Sequence, residues 1–294
     1  MIDPPADPGT PTRSAAVHAY ETAGLREHVD AVAAEEPMEI RVLPHSGART
    51  SVAITMRTPG HDFELAAGFL FSEGVIADRG ALGALEYCAG APATTRGNIV
   101  NVHLAPGVPF DPARFTRNVY TTSSCGICGK TSIDLVRASC DAPPVGEFVL
   151  SREFVLELPG KLAARQTVFE RTGGLHAAAL FDAGGHLLLV REDVGRHNAV
   201  DKVVGHRFLA GTLPASNTVL LVSGRASFEL VQKAVAAGIP ALAAVGAPSS
   251  LAVETARAFD LTLIGFLRDG RFNVYSGNRR LRVETGRHPG SGPR

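Results

Sequence analysis

Thr218-Val219-Leu220-Leu221-Val222-Ser223-Gly224-Arg225-Ala226-Ser227-Phe228-Glu229-Leu230-Val231-Gln232-Lys233-Ala234 passes from an unbroken apolar run, through a turn of small residues, into a segment with apolar residues at helical spacing. A short apolar run closed by such a turn reads as a buried strand, and residues 228–237 as a helix packed back on it. The unit recurs downstream: Ala241-Leu242-Ala243-Ala244-Val245 leads through Gly246-Ala247-Pro248 to a helix over 249–259, and Leu261-Thr262-Leu263-Ile264-Gly265 is the next strand. Connections this short predict parallel strands covered by helices. Upstream, the apolar runs at 176–181 and 186–190 flank Asp182-Ala183-Gly184-Gly185, an antiparallel hairpin signal, and a helix over 197–210 joins that hairpin to Thr218.

Before this region the pattern changes. Segments 38–43 and 50–56 alternate about a Ser46-Gly47 turn and predict a hairpin; a helix over 61–71 follows Pro59-Gly60, and 98–104 and 117–120 read as further strands. Ser151-Arg152-Glu153-Phe154 resembles a capped helix entry, with helical pattern continuing from 161 to 171 before Gly173-Gly174. The expectation is an α/β protein, α+β overall. A tail at 1–36 without sustained period precedes a small α+β domain at 37–120; a cysteine loop, helix and linker at 121–146 lead to an α/β domain with a mixed sheet at 147–282, and a second tail covers 283–294.

The 294 residues carry no formal net charge, which argues against a role built on bulk attraction to nucleic acid or a membrane surface. No apolar stretch approaches the roughly 20 residues of a membrane-spanning helix, and no secretory leader is legible, so a cytoplasmic protein is expected. Of 29 basic residues only four are lysine (Lys130, Lys161, Lys202, Lys233), an arginine bias suited to phosphate recognition but equally the mark of a composition-biased genome.

Thr121-Thr122-Ser123-Ser124-Cys125-Gly126-Ile127-Cys128-Gly129-Lys130 holds the close cysteine pair; Cys88 and Cys140 stand apart and read as small buried hydrophobes. The segment from Thr131 reads as the opening of a helix. Glycines, a helix N-terminus and Lys130 together favour a thiolate, the reactive form of sulfur. A Walker loop would need glycine where Ser124 stands, a structural zinc site a second close pair, and a thioredoxin motif a preceding strand of a βαβ unit.

Candidate binding residues lie where the late strands end. Ser223, Gly224 and Arg225, then Gly246 to Ser250, then Phe266, Leu267, Arg268, Asp269, Gly270 and Arg271 form small-residue or arginine-bearing turns; the first two open helices, the third less clearly so. Carboxyl ends of strands offer amides and helix starts to phosphates, and arginine clamps them in two-point fashion. The run Arg191-Glu192-Asp193-Val194-Gly195-Arg196-His197-Asn198-Ala199-Val200-Asp201-Lys202 is dense in charged and hydrogen-bonding types directly after an apolar strand. It reads either as a solvated turn or as a site where Asp193, Arg196, His197 and Asn198 face a polar ligand.

The element order resembles the cytidine-deaminase-like fold, but the zinc motif of those enzymes is missing, since His197 is followed by Asn198-Ala199 and Ser223-Gly224-Arg225 stands at the second position. No metal ion is expected. Segments 123–129, 171–178, 192–202 and 223–234, with 265–275, resemble the FdhD family of formate dehydrogenase accessory sulfurtransferases. The resemblance implies that Cys125 carries a persulfide taken from a cysteine desulfurase, with Cys128 assisting. It implies as cargo the molybdenum cofactor in its bis(molybdopterin guanine dinucleotide) form, bound on the second domain with residues 266–271 as the matching segment, before insertion into formate dehydrogenase. It also implies a homodimer. Competing readings are a non-catalytic cofactor-binding chaperone, in which the cysteines only dock a partner, and a dithiol redox protein.

Overall fold

The computed structural model of the chain describes residues 9–92, 96–114 and 148–282. The strand expected at 117–120, the cysteine loop with its helix, Cys140 and the tail at 283–294 lie outside those residues. The first described elements correct an expectation: within the 1–36 segment read as a tail, β1 (Thr12–Glu21) and β2 (Gly24–Ala33) pair antiparallel as a ribbon of their own. Its alternation rests on alanines and single apolar residues, Ala16, Tyr20, Leu25 and Val29 sharing one face, and that face is open, with Tyr20 85% exposed. Such a pattern carries little periodic signal.

Next come β3 (Glu36–Leu43), β4 (Thr50–Arg57), α1 (Asp62–Ser72), β5 (Leu82–Tyr87) and β6 (Ile99–Leu104), the strands forming one sheet in the order β4-β3-β6-β5. Met38, Ile40 and Val42 alternate onto the buried face of β3, where Leu65, Ala66 and Leu70 of α1 cover them. Strand β5 was not expected, because a register irregularity between Leu82 and Ala84 breaks its period. Arg57 is buried and grips Asp62 at the start of α1 with two N–H groups, at 3.1 and 2.9 Å.

Beyond residue 148, β7 (Leu150–Ser151) runs into α2 (Arg152–Ala163), whose first turn is capped as expected by Ser151 Oγ accepting from the Phe154 N–H. The helical run read through to 171 breaks in two, with α3 over Thr167–Thr172. The Glu192 carboxylate explains the break: it accepts from the Val168 and Phe169 amides at 3.1 and 2.7 Å, satisfying the start of a new helix.

The expected hairpin follows as β8 (His176–Asp182) and β9 (Leu187–Asp193), then α4 (Arg196–Leu209), β10 (Thr218–Val222), α5 (Phe228–Ala236), β11 (Ala241–Ala244), α6 (Ser250–Ala258), β12 (Thr262–Arg268), β13 (Arg271–Ser276) and β14 (Leu281–Arg282). The main sheet has the order β13-β12-β11-β10-β8-β9; β10, β11 and β12 are parallel, as the short connections predict, and the outer pairs antiparallel. Leu220 and Val222 point into a core with α4, α5 and α6, whereas Val219 and Leu221 point into one with α2. Helices on both faces explain why β10 and β11 are buried throughout and, Thr218 aside, apolar. The molecule is thus a mixed α+β protein built on two principal sheets.

Helices α1 and α4 hold the two sheets' layers together at a point without side chains. A Cβ at Gly68 would lie 1.9 Å from the Asp201 carbonyl oxygen, and one at Gly205 1.8 Å from that of Glu64. Only glycine at both positions lets the backbones approach this closely.

Candidate functional site

Hydrogen bonds stitch the ends of β10, β11 and β12 into one ledge. The Gly246 N–H donates to the Gly224 carbonyl at 2.9 Å, the Ala226 N–H to Ala247 at 3.1 Å, and the Phe266 N–H to the Gly246 carbonyl at 3.0 Å. The close approach is steric as well: a Cβ at Gly246 would sit 3.0 Å from the Gly224 oxygen, and one at Gly265 2.8 Å from Pro248 Cδ. The Ser223–Arg225 turn and Phe266, far apart in sequence, are therefore neighbours through the Gly246 turn. Ser223 faces the other way too, its hydroxyl accepting from the Ala177 N–H at 2.9 Å and so fixing the start of β8 against the end of β10.

That junction opens into a cleft of about 380 Å³ lined by Gln166, Phe169, Gly173, Gly174, Leu175, His176 and Ser223. His176, the first residue of β8, is the residue the sequence reading missed; its position at a strand start, separated from Gly173-Gly174 by Leu175 alone, was the available signal. Burial, then the charges of Arg196 and His197, holds its imidazole below the usual histidine range, toward the neutral form. His176 and Arg196 both flank Gly224, with His176 Nδ1 3.3 Å and Arg196 Cδ 4.0 Å from where a Cβ would be.

The polar run after β9 divides between interior and surface. Asp193 is buried, with Lys202 Nζ at 2.7 Å and the Gly195 N–H, Thr58 N–H and Asn198 Nδ2 donating at 2.8, 3.2 and 3.0 Å. Asn198 donates also to the Met56 carbonyl, and Lys202 to the Thr58 carbonyl, each on the first sheet's side. These residues brace the two parts of the molecule, and the structure does not turn Asp193 or Asn198 toward the cleft. His197 bonds Ser227 Oγ at 3.2 Å and stands 3.6 Å from Glu229, whose pKa its hydrogen bond lowers to about 2. Lys233 and Asp201 form a second buried pair, at 2.8 Å, between α5 and α4.

Residues 266–271 depart from the turn that was expected. Strand β12 continues to Arg268, and Asp269 and Gly270, with φ of 55° and 70°, turn it back into β13. Leu267 consequently points into the core, while Arg268, Asp269, Gly270 and Arg271 are exposed and Phe266 half-buried. Arg271 and Gly270 border a second recess of about 290 Å³ with Arg152, Leu156 and Phe272. Among the described residues no cluster of His, Cys, Asp and Glu is arranged to hold a metal ion. Cys88 is a half-buried free thiol whose sulfur lies 3.9 Å from Arg41 Nη1. Cys125 and Cys128 lie outside the described residues.

Comparison with known proteins places this geometry. The chain is 57% identical over 259 residues to a sulfur carrier protein FdhD of Streptomyces avermitilis, covering 86% of this chain and 89% of that one. It is 53% identical over 245 residues to one of Mycolicibacterium paratuberculosis, covering 82% and 88%. A crystal structure of a candidate formate dehydrogenase accessory protein from Desulfotalea psychrophila superposes with a TM-score of 0.71 at 22% identity, over 93% of this chain and all of that one, and shows a shared fold. A sequence profile described as the FdhD/NarQ family matches residues 33–282, a span that takes in both principal sheets and the ledge at the ends of β10, β11 and β12, and the chain is a member of the FdhD/NarQ family.

Proposed function

We propose that this chain is a sulfur carrier that serves the maturation of a formate dehydrogenase or related molybdoenzyme, with Cys125 as the atom-bearing residue. The observation that carries the reading is the Cys125-Gly126-Ile127-Cys128 pair, the chain's only close cysteines, in a protein whose relatives are named sulfur carriers. In the loading step the Cys125 thiolate attacks the outer sulfur of a persulfide on a cysteine desulfurase. The donor's S–S bond breaks, its cysteine leaves as a thiolate, and a new S–S bond forms on Cys125, so that no external oxidant is consumed. Cys128 assists, either by stabilising the persulfide or by attacking the Cys125 sulfur, so that a Cys125–Cys128 disulfide forms as the outer sulfur leaves at the sulfide level to the acceptor.

The acceptor is the molybdenum cofactor in its bis(molybdopterin guanine dinucleotide) form, a substrate to this protein. The ledge suits it. The side chains of Arg225 and Arg271 make no ion pair or hydrogen bond among the described residues, in contrast to those of Arg57, Arg191 and Arg280, which are engaged within the protein. Arg225 and Arg271 with Arg268 thus offer guanidinium groups to pyrophosphates, and Ser223, Gly224 and Phe266 complete the surface. The protein works in the cytoplasm as a homodimer in this reading; no helix among the described residues is long and apolar enough to cross a membrane.

The accessory role is tested in a bacterium lacking its own FdhD-type protein. Wild-type chain restores formate dehydrogenase activity and Cys125→Ala does not. Equal restoration by Cys125→Ala would remove the sulfur-carrying role and leave the non-catalytic chaperone.

A further inference from the structure

We propose that the open face of the β1–β2 ribbon is a docking surface for the same face of a second copy of this chain. The proposal deepens the homodimer reading above by giving that dimer a surface, and it rests on that reading only for the existence of a second copy.

The ribbon is an arm tied to the body at its foot. The Ala34 N–H donates to the Pro11 carbonyl at 2.9 Å, Arg13 pairs with Glu36, and β2 rests on α3, with Ala33 Cβ 3.3 Å from where a Cβ on Gly174 would lie. Beyond the foot each strand pairs only with the other, and the tip from Tyr20 to Glu27 is exposed. The two faces differ. On one, Ala15, Val17, Ala19 and His28 are half-buried; on the other, Ala16, His18, Tyr20, Leu25, Glu27 and Val29 are all exposed, Tyr20, Leu25 and Val29 by 85, 57 and 69%. Two strands without a packed face are marginal by themselves, and an apolar patch left in the open marks an interaction site.

The strand register says what fits this face. Antiparallel pairing sets Tyr20 opposite Leu25, His18 opposite Glu27 and Ala16 opposite Val29, three successive rows. A two-fold axis along the arm lays β1 of one copy over β2 of the other, row on row, so that each residue meets a second example of the partner it already has across the ribbon. Tyr20 then packs on the partner subunit's Leu25 and Ala16 on the partner subunit's Val29. The His18 imidazole reaches the partner subunit's Glu27, extending the pair that His18 and Glu27 make within one chain at 3.1 Å. Two open ribbons become a sandwich of four strands in two layers. A membrane surface would instead desolvate the His18–Glu27 row without adding a partner to it. At about 3.4 Å per residue the arm is roughly 34 Å long, and two strands about 4.8 Å apart give a face of roughly 330 Å². A standard interface takes about 800 Å² from each partner, so this face supports a weak, concentration-dependent pair.

Sedimentation velocity of the full chain over a range of protein concentrations tests this. Wild type passes from monomer to dimer with a midpoint of roughly 10–100 μM. Tyr20→Asp and Leu25→Asp, at positions exposed enough to leave folding intact, each raise that midpoint by at least about tenfold, and a chain without residues 1–32 stays monomeric. Asp30→Asn, on the opposite face, leaves the midpoint where it was. A wild type that is monomeric throughout overturns the proposal. So does a dimer indifferent to both aspartate variants, which would keep the homodimer but seat it elsewhere, and assemblies beyond the dimer that depend on Tyr20 overturn the two-fold pairing. Self-association is measured without a sulfur donor, so failed sulfur loading of Cys125 would strike the carrier reading and leave the pairing of the arms in place.

Discussion

The Asp193 carboxylate is surrounded by Lys202 and three N–H donors, and every one of them belongs to the protein. From sequence the run 191–202 has two readings, a solvated turn or a ligand site; Asp193, Asn198 and Lys202 serve neither, because charge density after a buried strand can equally be spent on an interior brace, while Arg196 and His197 stay half-buried near the cleft. Removing one partner of such a pair strands the other charge. Lys202→Met is expected to lower stability by about 3–5 kcal/mol in urea unfolding, and Asp193→Asn added to it to recover part of the loss. Recovery of nothing in the double variant would show that the two side chains act separately. His176 supplies a pH test. With its folded pKa below the ordinary 6.5, protonation favours the unfolded chain, so this residue's contribution is complete above 6.5 and is lost as pH falls toward its folded value. NMR titration should find its imidazole titrating below 6.5 in the wild type, and closer to it in Arg196→Gln, where a neighbouring positive charge is gone.

At the scale of elements, the crossing of α1 and α4 through Gly68 and Gly205 is the least forgiving contact. A methyl at either position meets backbone, which cannot swing aside as a side chain would, so Gly68→Ala and Gly205→Ala are each expected to cost at least about 3 kcal/mol or to prevent folding. A shift of under 1 kcal/mol would mean the helices can separate. The β1–β2 ribbon is the opposite case. It forms its own two-stranded sheet, leaves Tyr20, Leu25 and Val29 exposed, and precedes nearly all of the family match, so removal of residues 1–32 is expected to shift thermal unfolding by only a few degrees. The alternating strand-turn-helix units were legible because their burial on two faces leaves continuous apolar runs. The ribbon, β5 and the β12–β13 turn were not, since exposure, a register irregularity and a two-residue turn each erase the period that would announce them.

In the whole molecule, the proposed sulfur chemistry and the proposed cargo surface fall on different parts of the chain. The cysteine pair reads as sulfur chemistry from its spacing and neighbours, and the strand-end turns as an anion surface from their residue types, and both stand as proposals. What sequence alone did not supply was that hydrogen bonds join the Gly224, Gly246 and Phe266 turns into one ledge, or that His176 and Arg196 meet at its edge, because these contacts are made by residues distant along the chain. The claim on which the account rests is that Cys125 accepts sulfur. Intact-protein mass spectrometry after incubation with a cysteine desulfurase and cysteine tests it most directly: the wild type should gain one sulfur that a thiol reductant removes, and Cys125→Ala should gain none, whereas no adduct on the wild type, or an equal adduct on Cys125→Ala, would contradict it.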